Sequence, residues 1–237
     1  MRKHIPNLLT SLNLFSGCIA VVMAFNGAYL WVVVWVIIAA LFDFSDGFAA
    51  RLLKAYSPIG KELDSLADMV SFGFAPSMAV FTFLQHNMIR ITANETVGEF
   101  LPYIAFLLAI FSALRLAKFN VDERQTESFI GLNTPANALF WVSFIYGLTN
   151  DVSYLTTGHM YTVLVGIVVF SILMVSEIPM FSLKIKSLKW KGNESRYFML
   201  LFGIILLAVL KSPLAISGVI LLYIALSLIN NRTKIEE

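Results

Sequence analysis

The chain reads as all-α, a polytopic bundle of about eight transmembrane helices, and three observations carry that reading. Of its 237 residues 58% are hydrophobic and only 14% charged, with a mean hydropathy of +0.79. That much apolar surface cannot face water, so the solvent is a bilayer. The apolar residues fall in long runs, where a span needs about 20 of them. The charges lie in short clusters between the runs rather than in one patch, and a net charge of +2 gives no footprint for nucleic acid.

In chain order, hydropathy predicts helices over roughly 8–26, 28–50, 62–86, 99–118, 134–150, 160–181, 197–211 and 213–229. Ser57 before Pro58 has the form of an N-cap followed by first-turn proline, which marks where the third helix starts. The last two runs are separated only by Lys211, Ser212 and Pro213 and read as a hairpin. The chain is therefore one integral membrane domain over 1–237. A six-helix catalytic core occupies 1–181, and a cytoplasmic loop with a C-terminal helical hairpin occupies 182–237. The tail from Arg232 to Glu237 is short and charged and reads as disordered.

Positive charges test the helix count. Arg2 and Lys3, then Arg51, Lys54 and Lys61, then Arg115, Lys118 and Arg124, then Lys184, Lys186, Lys189, Lys191 and Arg196, then Arg232 and Lys234 share one side if the spans alternate. Only Arg90 and Lys211, of the 17 Lys and Arg, fall opposite. That side is expected to be cytoplasmic and to carry both termini and the active site. Arg2 and Lys3 ahead of an apolar run ending near Cys18 imitate a processing signal, but the run continues to Phe25 and reads as a span. Cys18, the single cysteine, excludes an internal disulfide and is expected to be a buried thiol.

The second helix carries Asp43 and Asp46 before it has left the membrane, where charges are expensive. Asp43, Asp46, Gly47 and Ala50 share one helical face, and Gly60, Asp64, Asp68 and Ser71 share a face of the next helix. A connection of about six residues makes these helices antiparallel neighbours, so four carboxylates converge. In a low-dielectric cleft they repel one another unless cations are present, and hard oxygen ligands suit Mg²⁺ or Mn²⁺. The small residues Gly47, Ala50 and Gly60 leave room for a bulky ligand, and Arg51 adds a fixed positive charge. Together these features describe a receptacle for a lipid pyrophosphate. The plainer alternative, ion pairs or helix caps at a wet membrane edge, fits one aspartate better than four in register.

Asp43, Asp46, Gly47, Ala50, Arg51, Gly60, Asp64 and Asp68, at these spacings, resemble the complete signature of the CDP-alcohol phosphotransferase family. The resemblance implies a helical membrane fold and a phosphoryl-group transfer in which Asp43, Asp46, Asp64 and Asp68 hold two divalent ions. It also implies that Asp68 serves as general base. Gly47, Arg51 and Ser57 stand where family members contact the CDP part of the lipid, with Ala50 and Gly60 beside them. Asn7, in Ile5-Pro6-Asn7-Leu8-Leu9-Thr10, resembles a further element near the nucleotide, although Asn7 and Thr10 can equally cap the first helix.

Outside the signature, the stretches 5–10, 62–76, 114–120 and 131–136 resemble the membrane-bound subgroup that uses CDP-diacylglycerol and L-serine, releasing CMP. Lys118 departs from an expected arginine and Asn133 from an expected proline. The implied acceptor pocket is Arg115, Asn120 and Thr134, while the plainer alternative is that Arg115 and Lys118 snorkel and anchor the fourth helix. The same reaction with glycerol 3-phosphate, inositol phosphate or a phosphocholine-type exchange is the nearer rival, and Lys184 to Lys191 would supply the basic cluster it needs. An ion-coupled transporter is the more distant one, and the acids form a single cluster without an inverted repeat. The three histidines, His4, His86 and His159, lie at span ends and are expected to be interfacial. The expected partners are CDP-diacylglycerol, L-serine and membrane lipid, with a homodimer as a further expectation.

Overall fold

The computed structural model describes residues 4–91, 95–122, 129–149, 156–180 and 194–235. Helices α1 (Ile5–Phe25) and α2 (Tyr29–Leu52) form an antiparallel pair joined by a tight turn at Gly27, whose φ of +69° only glycine adopts at no cost. The third rod is composite: α3 (Pro58–Asp68), a π-helical turn (Met69–Phe74) and α4 (Ala75–Ile91) run on without a break. The fourth passes from α5 (Glu95–Phe100) through a 3₁₀ segment (Leu101–Phe106) into α6 (Leu107–Val121). Then follow α7 (Thr134–Thr149), α8 (Thr157–Val175), α9 (Glu194–Leu210) and α10 (Leu214–Ile235). The eight helical rods match the eight expected from hydropathy. Five of them, within residues 5–25, 29–52, 58–88, 98–121 and 157–175, are long and apolar enough to cross a membrane.

Two packed regions hold the rods together. Small residues let α1 and α2 approach the third rod: Ala20, Ala24, Ala39, Ala75 and Ala79 are all fully buried there beside Val32, Val33, Val36 and Phe72. The larger region joins α4, α6, α7, α8 and α10 around Trp141, with Phe140 stacked on Phe170 at 4.1 Å. The α9–α10 hairpin docks on α7 through a Ser143–Ser217 hydroxyl pair at 2.6 Å and through Leu214, which packs against Gly147. Large apolar side chains such as Phe15, Leu41, Val165 and Ile204 point outward, as a lipid-facing surface requires.

Four expectations are corrected. The sixth helix ends at Val175, not near residue 181, because Pro179 lacks an N–H and its ring drives Ile178 out of the helical region. The freed segment, Pro179–Met180 (β2), pairs antiparallel with Phe129–Ile130 (β1). The third rod is not a uniform α-helix, since the π turn follows Asp68 directly. Cys18 is exposed rather than buried, because the buried face of α1 is set by Pro6, Thr10, Asn13, Gly17, Ala20 and Ala24. The backbone through Arg232 and Lys234 is helical, as α10 continues to Ile235. The expected loop lysines 184–191 lie outside the described residues, as do Arg2, Lys3 and Arg124.

Candidate active site and metal centre

The site grows from three helices. Ser57 adopts extended backbone and its Oγ accepts the Gly60 N–H at 3.0 Å, capping α3 and setting the phase in which Asp64 and Asp68 emerge. Opposite, α2 carries Asp43 as its fifteenth residue, about 21 Å along the axis. The structure brings Asp43, Asp64 and Asp68 together, with one carboxylate oxygen from each within 4.8 Å of the others. Asp46 stands beside this trio, close enough for its charge to act on Asp64 and Asp68. Its own Oδ2 is bound elsewhere, accepting the Thr10 hydroxyl at 2.6 Å.

None of the four forms an ion pair with a lysine or arginine among the described residues, and Asp64 Oδ1 is buried with no hydrogen-bond partner. A buried carboxylate oxygen left unpaired is costly. Ion pairing therefore does not explain the cluster, and the donor set fits a divalent cation, which takes oxygen ligands and supplies the missing charge.

Through Asp46 and Asp64 the cluster meets a cavity of about 550 Å³, whose lining does not include Asp43 or Asp68. Asn7, Gly47, Ala50, Ser57 and Gly60 line it, together with Thr10, Asp46, Asp64, Tyr56 and Lys61. Gly60 lies where the chain is crowded: a methyl there would sit 3.0 Å from Ser57 Oγ and 3.1 Å from Asn7 Oδ1. That contact places the first helix against the start of α3. Arg51 is exposed at the end of α2, its Nη1 3.8 Å from where a Gly47 side chain would begin.

The expected acceptor residues are less convergent. Arg115 is only 5% exposed, and its Nη1 donates to the Ile130 carbonyl at 2.8 Å and the Met174 carbonyl at 3.4 Å. It does not snorkel; it ties β1 to the end of α8. Lys118 is half-buried and pairs with Glu177 across the same junction. Asn120 reaches α3, where its Nδ2 donates to Ser65 Oγ at 2.8 Å and its backbone carbonyl accepts Lys61 Nζ at 2.9 Å. Thr134 is buried at the start of α7, whose first turn is capped by Asn133, its Oδ1 accepting the Ala136 N–H at 2.8 Å. Two of the histidines are engaged elsewhere: His159 closes a cap with Thr156, and His86 lines a separate cavity with Tyr29, Trp31 and Tyr146.

Among the site residues that escaped the sequence reading are Tyr56, on the cavity wall, and Asn13. Asn13 on α1 is fully buried and its Nδ2 donates to Asp68 Oδ1 at 3.1 Å. The signal was present in the spacing, since Pro6, Thr10, Asn13 and Gly17 recur on one face, but an isolated Asn inside an apolar run carries no motif.

Residues 3–173 match the family model described as CDP-alcohol phosphatidyltransferase. The chain belongs to that family. Among its curated relatives it is similar to the CDP-diacylglycerol–serine O-phosphatidyltransferase of Helicobacter pylori strain 26695, at 32% identity over 224 residues, covering 92% of this chain and 88% of the relative. It is similar also to the enzyme of that name from Bacillus subtilis strain 168, at 34% identity over 150 residues, covering 61% of this chain and 77% of the relative. A third relative is the archaetidylserine synthase of Methanothermobacter thermautotrophicus, 30% identical over 177 residues, covering 73% of this chain and 68% of the relative. The matched segment contains every residue of the cluster and its cavity.

Proposed function

We propose that the protein transfers the phosphatidyl group of CDP-diacylglycerol to L-serine, forming phosphatidylserine and releasing CMP. The observation that carries this reading is the meeting of the carboxylate cluster with a cavity whose lining includes Asn7, Gly47, Ala50, Ser57 and Gly60. The names of the relatives support serine as the acceptor.

In this reading Asn7, Gly47, Ala50, Arg51, Ser57 and Gly60 seat the CDP part of the lipid. Gly47 and Gly60 keep the backbone approachable, and Arg51 sets a permanent positive charge near the phosphates. Asp43, Asp46, Asp64 and Asp68 would hold the metal, Mg²⁺ or Mn²⁺ and two ions in all, with Thr10 orienting Asp46. When bound, the metal neutralises the pyrophosphate and stabilises the departing CMP. Asp68 takes the proton from the serine hydroxyl as its oxygen attacks phosphorus in line and the bond to CMP breaks. No covalent enzyme intermediate is required. Arg115, Asn120 and Thr134 form the acceptor side, where the Arg115 guanidinium would meet the serine carboxylate.

Residues 1–181 act as the catalytic core in this account, with 182–237 as its appendage, and the active site and both termini face the cytoplasm. A homodimer belongs to the same reading and is read by crosslinking in membranes. The decisive assay supplies purified protein with CDP-diacylglycerol and labelled serine, with glycerol 3-phosphate and inositol phosphate as competitors. Labelled phosphatidylserine that appears with stoichiometric CMP and disappears with chelator is expected. CMP release with a phosphorylated alcohol but not with serine would overturn the acceptor assignment.

A further inference from the structure

Asn13 is a fully buried polar side chain at the site, and its surroundings are one-sided. Its Nδ2 donates to Asp68 Oδ1, while its own Oδ1 is buried without a partner. Its backbone carbonyl accepts the Ser71 hydroxyl at 3.0 Å, which ties α1 to the π turn immediately after Asp68. Four residues further along α1, Gly17 brings the two backbones so close that a methyl would fall 2.8 Å from Ser71 Cα. Asn13 is thus held near Asp68 by two contacts that α1 makes with Ser71. A buried amide with one half unpaired is a poor stabilising element, because an unpartnered buried acceptor keeps its full desolvation cost. Residues that break the rules of polar satisfaction concentrate where function requires them.

We propose that Asn13 is a positioning residue for the transfer reaction: by occupying one oxygen of Asp68 it holds the carboxylate so that the other oxygen meets the hydroxyl of the incoming alcohol. The inference rests on the reading of Asp68 as general base. It adds a residue outside the eight-position signature, supplied by a helix that carries none of the acids. Asn13 touches neither reacting group. Its effect is on the orientation of Asp68, so its loss appears in turnover and leaves the seating of the CDP-lipid intact.

The test compares Asn13→Leu and Asn13→Asp with the unchanged protein, reading turnover, KM for CDP-diacylglycerol, Mn²⁺ affinity and unfolding temperature. Leucine keeps the volume and removes both polar atoms, while aspartate keeps the shape and lacks the donor. Both are expected to lower kcat by about 10- to 100-fold, the penalty of a misaligned catalytic group. KM for the lipid and Mn²⁺ affinity should stay within about threefold of the unchanged protein, a margin of under about 0.7 kcal/mol. Either folded variant retaining kcat within twofold overturns the proposal, as does a parallel loss of lipid binding, metal binding and fold in both, which marks a structural residue. If the unchanged protein releases no CMP with any alcohol, the reading of the site itself fails, an outcome separate from these.

Discussion

Gly17→Ala is the sharpest probe of how the site is assembled. An added Cβ would lie 2.3 Å from Ser71 Oγ and 2.8 Å from Ser71 Cα. The hydroxyl can rotate aside at the loss of its bond to the Asn13 carbonyl, but the Cα belongs to the backbone of the π turn and cannot. Restoring an ordinary contact of 3.4 Å forces α1 and the third rod apart by at least about 0.6 Å. Overpacking of this kind costs about 1–3 kcal/mol, and a displacement approaching 1 Å at the reacting groups costs up to about 10²-fold in rate. The assay is CMP release in detergent or vesicles, alongside thermal unfolding followed by loss of native fluorescence. Turnover is expected to fall at least tenfold and the unfolding temperature by several degrees, with Asp43 and Asp64 still able to bind Mn²⁺. A variant with unchanged turnover and stability refutes the argument that the α1–π-turn contact sets the position of Asp68.

Other consequences are open to simple measurement. Asp43→Asn and Asp64→Asn each remove a ligand charge, so Mn²⁺ binding by paramagnetic resonance and CDP-lipid binding should weaken together, by tenfold or more. Ser57→Ala removes the cap on α3, which should cost about 1 kcal/mol of stability and raise KM for the CDP-lipid, read by chemical denaturation and steady-state kinetics. Arg115→Met removes the Nη1 hydrogen bonds to the Ile130 and Met174 carbonyls, so stability should drop by about 1–3 kcal/mol. An unchanged KM for serine in that variant would remove Arg115 from the acceptor pocket.

Much of this architecture is legible in the residues because bilayer physics is coarse. The apolar runs, the Ser57-Pro58 start of α3 and the paired faces of Asp43 with Asp46 and of Asp64 with Asp68 follow from helix geometry and the cost of charge in lipid. The end of α8 could have been read from Pro179, whose effect on Ile178 is local. The β1–β2 pair could not, since two-residue strands show no alternation. The π turn also leaves no mark in hydropathy, arising where α1 and α6 crowd the third rod at Gly17–Ser71 and Gly73–Ser112. Asn13 and the second contacts of Thr10 and Arg115 are tertiary facts: each side chain finds its partner at least 15 residues away in sequence. Exposure of Cys18 follows from which face of α1 meets α2 and the third rod, a choice that an almost uniformly apolar helix does not reveal.

The central claim is that Asp68, one of the four acids proposed to hold the metal, also takes the proton, and Asp68→Asn tests it most directly. The amide keeps the size of the side chain and an oxygen ligand but cannot accept the proton. Measured on one preparation, CDP-diacylglycerol binding in the presence of Mn²⁺ should largely survive, while CMP release at saturating serine falls by about 10²-fold or more. Loss of lipid binding as complete as in Asp43→Asn, or near-normal turnover with saturating serine, would contradict the account.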